Sequence, residues 1–196
     1  MDAVAAAARR IAGEWPKPAR LSPTRLPPAA GSVSDLHTST ENNAMAEIRT
    51  AHLFTLRLQV AGIQAIGATA GGNRRIGLVA GGSFQGERLR GTVLPGGADW
   101  LIDRPDGVTT LDVRLVLHTD DGAAIGMTYR GLRHGPTAVM ERLGRGEPVD
   151  SASYYFRTAI AFETAAAKYA WLNRVIAIGT GDRPPEGPVY DVFEVL

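Results

Sequence analysis

No cysteine occurs in the 196 residues. That excludes a disulfide scaffold, thiolate catalysis and cysteine-ligated zinc, and it fits a reducing compartment. Long apolar runs are missing too: none approaches the roughly 18–20 residues of a membrane-spanning helix. Arg9 and Arg10 follow a short alanine run instead of preceding it, so secretion is not expected and a cytoplasmic location is. Charge of one sign is also lacking. Lys+Arg number 21 and Asp+Glu 20, which leaves no long-range field to hold a polyanion; nucleic acid and membrane are not expected partners. The histidines, His37, His52, His118 and His134, have no metal-ligand spacing, so no metal site is expected. No G-x-x-x-x-G-K-[ST] loop occurs, and GTGDRP at 179–184 lacks a last glycine and a following helix; it reads as a turn. Ser83 sits in GGSFQ, outside the G-x-S-x-G pattern of a serine hydrolase. No cofactor is expected.

Two regions differ in texture. AVAAAARRIAGEW can form one short helix, but the Pro, Ser, Thr and Asn of the following stretch have no period that could bury a face. Residues 1–46 therefore read as a disordered extension, and MAEIRTAHLF marks Met45 as the expected true start. Residues 47–196 read as one domain. From His52 the period becomes two: Phe54, Leu56, Leu58 and Val60 point one way, Thr55, Arg57 and Gln59 the other. Similar segments are expected at about 74–80, 83–94, 98–103, 109–119, 123–131, 151–162, 171–179 and 188–195. Turn chemistry separates them, notably Asp106-Gly107, Asp121-Gly122 and Gly179-Thr180-Gly181-Asp182, with two-residue type I′ turns expected at the Asp-Gly pairs. Helical signal is confined to Thr137–Leu143 and Thr164–Leu172.

Such a succession specifies an all-β chain, either a sandwich or a closed antiparallel barrel of about eight to ten strands. Gly77, Gly91, Gly126 and Gly131 recur where a sheet must coil to close on itself, which favours the barrel. VYDVFEVL can pair with HLFTLRLQV and so remove both edges. A barrel of about eight strands has room for one small ligand in its lumen.

Four stretches, GGSFQGERLRGTVLPGGADW, TTLDVRLVLHTDDGAAIGMTYRG, YYFRTAIAFET with YAWLN after it, and VYDVFEV, together resemble the DUF3237 (UPF0311) family over roughly residues 50–196. The resemblance implies a lipocalin-like, calycin-type β-barrel in a family without a general function. Some fungal relatives are found in polyketide pathways, which implies an enzyme-like role on a small aromatic or polyketide-like molecule.

Candidate site residues are polar or aromatic groups set in apolar strands. In TTLDVRLVLHT, Asp112 and Arg114 either meet solvent or project into the lumen, where the planar fork of Arg114 would orient a carboxylate, enolate or phenolate. In YYFRTAIAFET, Tyr155, Arg157 and Glu163 share a face with Ala159 and Ala161, and small residues beside charge suggest a pocket. If that face points inward, Arg157 stabilises an oxyanion while Glu163 or Tyr155 exchanges a proton; otherwise it is a solvated ion pair beside core aromatics. Asp99 stands next to Trp100 and needs a partner or a raised pKa, which makes it a candidate acid or base. Trp100, Tyr129, Trp171 and Tyr190 are core plugs or the aromatic floor of a pocket; Asn173 reads as a turn or cap residue. Three functions stay open: a ligand-binding barrel with acid–base activity (cyclase, isomerase or lyase), a non-catalytic carrier or sensor of an apolar metabolite, and a structural barrel with a filled core. Homodimerisation through exposed strand faces is compatible with each.

Overall fold

The computed structural model describes residues 47–196. The short N-terminal helix, the extension up to residue 46 and the start at Met45 lie outside the described residues. Nine strands follow one another: β1 (Thr50–Thr69), β2 (Gly72–Gln85), β3 (Arg90–Val93), β4 (Gly97–Asp103), β5 (Thr109–Thr119), β6 (Ala124–His134), β7 (Tyr155–Glu163), β8 (Ala177–Asp182) and β9 (Val189–Val195). One α-helix, α1 (Thr137–Gly144), and two 3-10 helices, Ser151–Ser153 and Ala167–Arg174, lie between β6 and β8. Among the described residues no helix is long and apolar enough to cross a membrane.

All pairings are antiparallel and they form a ring. β9 lies on β1 from Thr50↔Val195 to Arg57↔Val189, the expected pairing of the last strand with the first. β3 and β4 share one lane between β2 and β5, β3 opposite Gly82–Gln85 and β4 opposite Asn73–Val79, so nine strands make eight lanes. Period two then decides which side chains go inside. Along β5, Thr109, Leu111, Val113, Leu115, Leu117 and Thr119 are buried; along β7, Phe156, Thr158, Ile160 and Phe162 are. Phe54 meets both Phe84 and Phe162 edge-on and fills the middle of the core. One end is plugged by the 3-10 helix Ala167–Arg174, whose Tyr169 and Leu172 are buried. The Tyr169 hydroxyl donates to Asp121, which also accepts from Lys168 and Thr119 and so pins the plug to the β5–β6 turn.

Several expected boundaries move. The strand expected at 83–94 is the end of β2 and all of β3, divided by the loop Gly86–Leu89. The segment read as an interruption between residues 60 and 74 is strand instead, because β1 and β2 continue as one long bulged hairpin to Thr69↔Gly72. The run 171–179 begins as a 3-10 helix, and β8 starts only at Ala177; Gly179–Asp182, expected as a turn, is strand, paired throughout with β9 and at Gly179 and Thr180 with β7 as well. Both Asp-Gly pairs turn the chain, but not as two-residue loops. The Gly122 N–H donates to Thr119 and that of Gly107 to Arg104, which places the glycine after the central pair in the left-handed region, φ +88° and +82°. Among the glycines expected to bend the sheet, Gly91 has a different reason: a Cβ there would stand 2.1 Å from the His118 carbonyl oxygen, so it lets β3 approach β5.

Candidate functional site

At the end opposite the plug, a cavity of about 90 Å³ opens among β1, β2, β4, β5, β6, β7, β9 and the loop between β8 and β9. Its side walls are apolar, with Leu58, Val60, Ile63, Val79 and Pro188 among them. The polar groups come from strand positions in phase with the core. Asp99 and Asp103 alternate with buried Leu101 on β4, and Arg133 continues the inward series Ile125, Met127, Tyr129 and Gly131 on β6. Gly77 stands opposite Asp99 on β2, and its missing side chain leaves the space beside the carboxyl open.

Burial pushes the Asp99 carboxyl up to about 7, against the pull of the Asp112 backbone N–H, which donates to it at 3.3 Å, and of Arg133. Tyr129 and Tyr190 meet edge-on with ring centroids 5.3 Å apart. Burial pushes the Tyr129 phenol well above its usual range, its interaction with Tyr190 adding to the effect, and Tyr190 is raised chiefly by burial as well. Both therefore remain hydroxyl donors at any physiological pH. Nearer the rim, Arg75 holds Asp103 in a two-pronged ion pair at 2.7 and 2.8 Å, and Thr109 adds a third hydrogen bond at 2.9 Å. Burial works against ionisation of Asp103, but these bonds outweigh it and hold its carboxyl below the ordinary value. Arg133 lies over Phe156, its guanidinium carbon 5.6 Å from the ring centroid, and its Nε is buried with no hydrogen-bond partner among the described residues. Arg183 completes the rim. The Tyr154 hydroxyl accepts from its backbone N–H at 2.9 Å, and one guanidinium nitrogen donates to the Pro184 carbonyl. The constellation can bind a small polar molecule, exchange a proton at Asp99 and hydrogen-bond a developing oxyanion through two phenols.

Of the residues singled out in the sequence, the cavity brings together Asp99, Tyr129 and Tyr190. It does not contain the others. Asp112 and Arg114 lie on the outer face of β5, because the wholly apolar series Leu111, Val113, Leu115 and Leu117 takes the lumen. Tyr155, Arg157 and Glu163 point outward from β7 for the same reason, Phe156, Thr158, Ile160 and Phe162 being the buried set. The small-residue face is real but external: Ala159 and Ala161 line a shallow concavity with Asp112, Arg114, Arg130 and Glu163. Trp100 is 48% exposed on the outside of β4. Trp171 sits in the plug, covered by Arg88 at 3.6 Å. Asn173, within the 3-10 helix, bonds both backbone groups of Thr164 and ties the end of β7 to the plug. Arg75, Asp103, Arg133 and Arg183 were missed. Extending the alternation of β4 and β6 by one step past Leu101 and Gly131 finds Asp103 and Arg133, whereas Arg183 depends on the loop that follows β8.

Comparison with known proteins places this chain in a family. A model described as "Protein of unknown function (DUF3237)" matches residues 48–195. A UPF0311 protein of Rhodopseudomonas palustris is 38% identical over 149 residues, covering 76% of this chain and 97% of that protein. One from Bradyrhizobium diazoefficiens is 37% identical over 147 residues, covering 75% and 96%. The crystal structure of the Rhodopseudomonas palustris protein superposes with a TM-score of 0.75 at 37% identity, covering 77% of this chain and 99% of that one. A beta-barrel like protein of Acinetobacter baumannii gives a TM-score of 0.68 at 36% identity, covering 77% and 98%. An enzyme from Penicillium herquei, 22% identical with a TM-score of 0.59 and coverage of 77% and 96%, shares the fold. The chain thus belongs to the DUF3237 (UPF0311) family of proteins of unknown function.

Proposed function

We propose that the barrel, lipocalin-like in having one plugged and one open end, binds a small molecule in the rim cavity and catalyses a proton transfer on it through Asp99. The reaction class is isomerisation, cyclisation or elimination. The observation that carries this reading is the Asp99 carboxyl itself, held near 7 by burial on a cavity wall and faced by two phenols and a cation. A group of that pKa is about half ionised at neutral pH, the condition under which one carboxyl serves as base and then as acid. As carboxylate it takes a proton from a C–H or O–H of the ligand, and the electron pair left behind moves onto a ligand oxygen that Tyr129 or Tyr190 hydrogen-bonds. The carboxyl then returns the proton to another ligand atom or to a departing oxygen, so charge and protons balance. A carrier for an apolar metabolite would need the apolar walls alone, and burying a carboxyl, two phenols and Arg133 there would cost it stability without return.

Native mass spectrometry of the freshly purified protein for a retained ligand, followed by a panel of small carbonyl and phenolic compounds, tests the proposal. Trp100 and Trp171 both lie away from the cavity, so calorimetry or tyrosine difference absorbance is the suitable readout. Asp99→Asn is expected to keep ligand affinity within a few-fold and to lower turnover by about 10²–10⁴. Equal turnover in the variant overturns the catalytic role.

A further inference from the structure

Cations outnumber committed anions around the cavity. Arg75, Arg133 and Arg183 all line it, while Asp103, the carboxylate held in its ionised form there, is fully used by Arg75 and Thr109. Arg133 forms no ion pair within 4 Å among the described residues, and its Nε is buried without a partner. Arg183 spends one guanidinium nitrogen on the Pro184 carbonyl and keeps the rest of its fork for the cavity. Asp99 and Asp103 act on Arg133 only from a distance; a buried guanidinium that touches no carboxylate is costly, and the cost falls when an anion binds it directly.

Resting on the binding role given to this cavity above, we infer that its ligand is a small monoanionic organic acid whose carboxylate is held by Arg133 and Arg183 at the rim. The planar fork of a guanidinium matches the two oxygens of a carboxylate. A phenolate offers one oxygen and leaves half the fork empty. A phosphate dianion would bring a second negative charge beside ionised Asp103, with no cluster of backbone N–H groups to spread it. The enclosed space, about 90 Å³, takes a headgroup of a few heavy atoms. The remainder of the acid then lies against Leu58, Val60, Ile63 and Pro188 on the opposite wall, an apolar surface suited to a hydrocarbon or aromatic body. Arg133 and Tyr129 lie four residues apart on β6, as do Asp103 and Asp99 on β4, so the carboxylate binds two inward positions nearer the rim than the proton-exchanging group. The reacting atom of such an acid is therefore several bonds from its carboxylate carbon, not adjacent to it.

The test is calorimetric titration of the full chain with two pairs of isosteres, butyrate against butyramide and benzoate against benzamide, with inorganic phosphate as a third probe. The expected result is at least tenfold tighter binding of each acid than of its amide, abolished in Arg133→Met and partly recovered in Arg133→Lys. Arg133→Met should also melt at a higher temperature than the parent, since it removes a buried charge and keeps the side-chain length. Equal binding of acid and amide overturns the carboxylate assignment while leaving the cavity a binding site. Phosphate binding more tightly than either acid overturns it in favour of another anion. Failure of every probe to bind the parent, or equal binding to a Gly77→Leu variant that fills the cavity, overturns both the assignment and the binding role. A lower melting temperature for Arg133→Met shows that the arginine holds the fold and overturns its role as a waiting cation.

Discussion

Asp99 ties stability to acidity in a direction that can be worked out. The unfolded chain releases its proton near pH 4, whereas the folded chain keeps it up to about 7. The stability this group contributes is therefore present in full below pH 4 and falls as pH rises towards 7, by at most about 1.4 kcal/mol per pH unit. Asp99→Asn should remove that slope, so the variant is expected to exceed the parent in stability above pH 7 by about 1 kcal/mol or more, read from urea midpoints at pH 4, 5.5, 7 and 8. Parallel curves for the two proteins contradict the buried carboxyl. At this scale the sequence was legible where phase alone mattered: Asp99 and Tyr129 occur in register with core residues, and so does the overlooked Arg133. It was illegible where the choice lay between the two faces of one strand. Alternation separates Asp112 from Leu111, or Arg157 from Phe156, but which set is inside depends on how completely apolar each face is. On β5 and β7 the uncharged, mostly apolar series wins, because charged groups turned into an apolar lumen need counter-charges that it does not supply.

Strand by strand, the glycines sort into those that admit a neighbour and those that leave space. On β8, a Cβ at Gly181 would stand 2.5 Å from the Phe156 ring, and one at Gly179 would stand 2.4 Å from the Thr158 hydroxyl. Gly181→Ala is therefore expected to destabilise the barrel by about 1–3 kcal/mol, seen as a lower melting temperature. On β2 a Cβ at Gly77 would meet Ile63 at 3.6 Å and Leu101 at 3.7 Å, ordinary contact distances. Gly77→Ala should consequently fold as well as the parent, yet shrink the cavity beside Asp99 and weaken ligand binding several-fold in calorimetry. Loss of stability in Gly77→Ala comparable to that of Gly181→Ala would show the two positions to be alike. In the plug, Tyr169→Phe removes the hydroxyl donated to Asp121 and is expected to cost about 1–2 kcal/mol in denaturant unfolding. The existence of most strands and of α1 could be read from period and turn residues. The helical segment of the plug could be read as well, at Thr164–Leu172 against the observed Ala167–Arg174, but its burial in the barrel end could not, because Tyr169 and Leu172 alone leave no sustained period to detect.

For the molecule as a whole, closure was foreseeable from the apolar alternation at both termini of the domain, and it is what leaves most strands with neighbours on both sides. The longest exception is β1 beyond Arg57. Residues 55–57 are held between β9 and β2 and residues 50–54 lie on β9 alone, whereas from Gln59 to Thr69 the strand has β2 alone as its partner, with register shifts at Gln59/Val60, Val60/Gly62 and Ala65/Gly67. Ile63 and Ile66 stand 52% and 57% exposed on this stretch, and Ile63 is also a wall of the cavity. One side of the binding site is thus a single-partnered ribbon while the other sides belong to a closed ring. Amide protons of residues 59–69 are expected to exchange with solvent orders of magnitude faster than those of 55–57, and to slow when the cavity is filled. Such a division of stiffness sets the tempo of the site: ligand residence time would follow the opening rate of the ribbon, and substitutions in the ribbon outside the cavity walls Val60 and Ile63 would alter on- and off-rates together while leaving the equilibrium affinity nearly fixed.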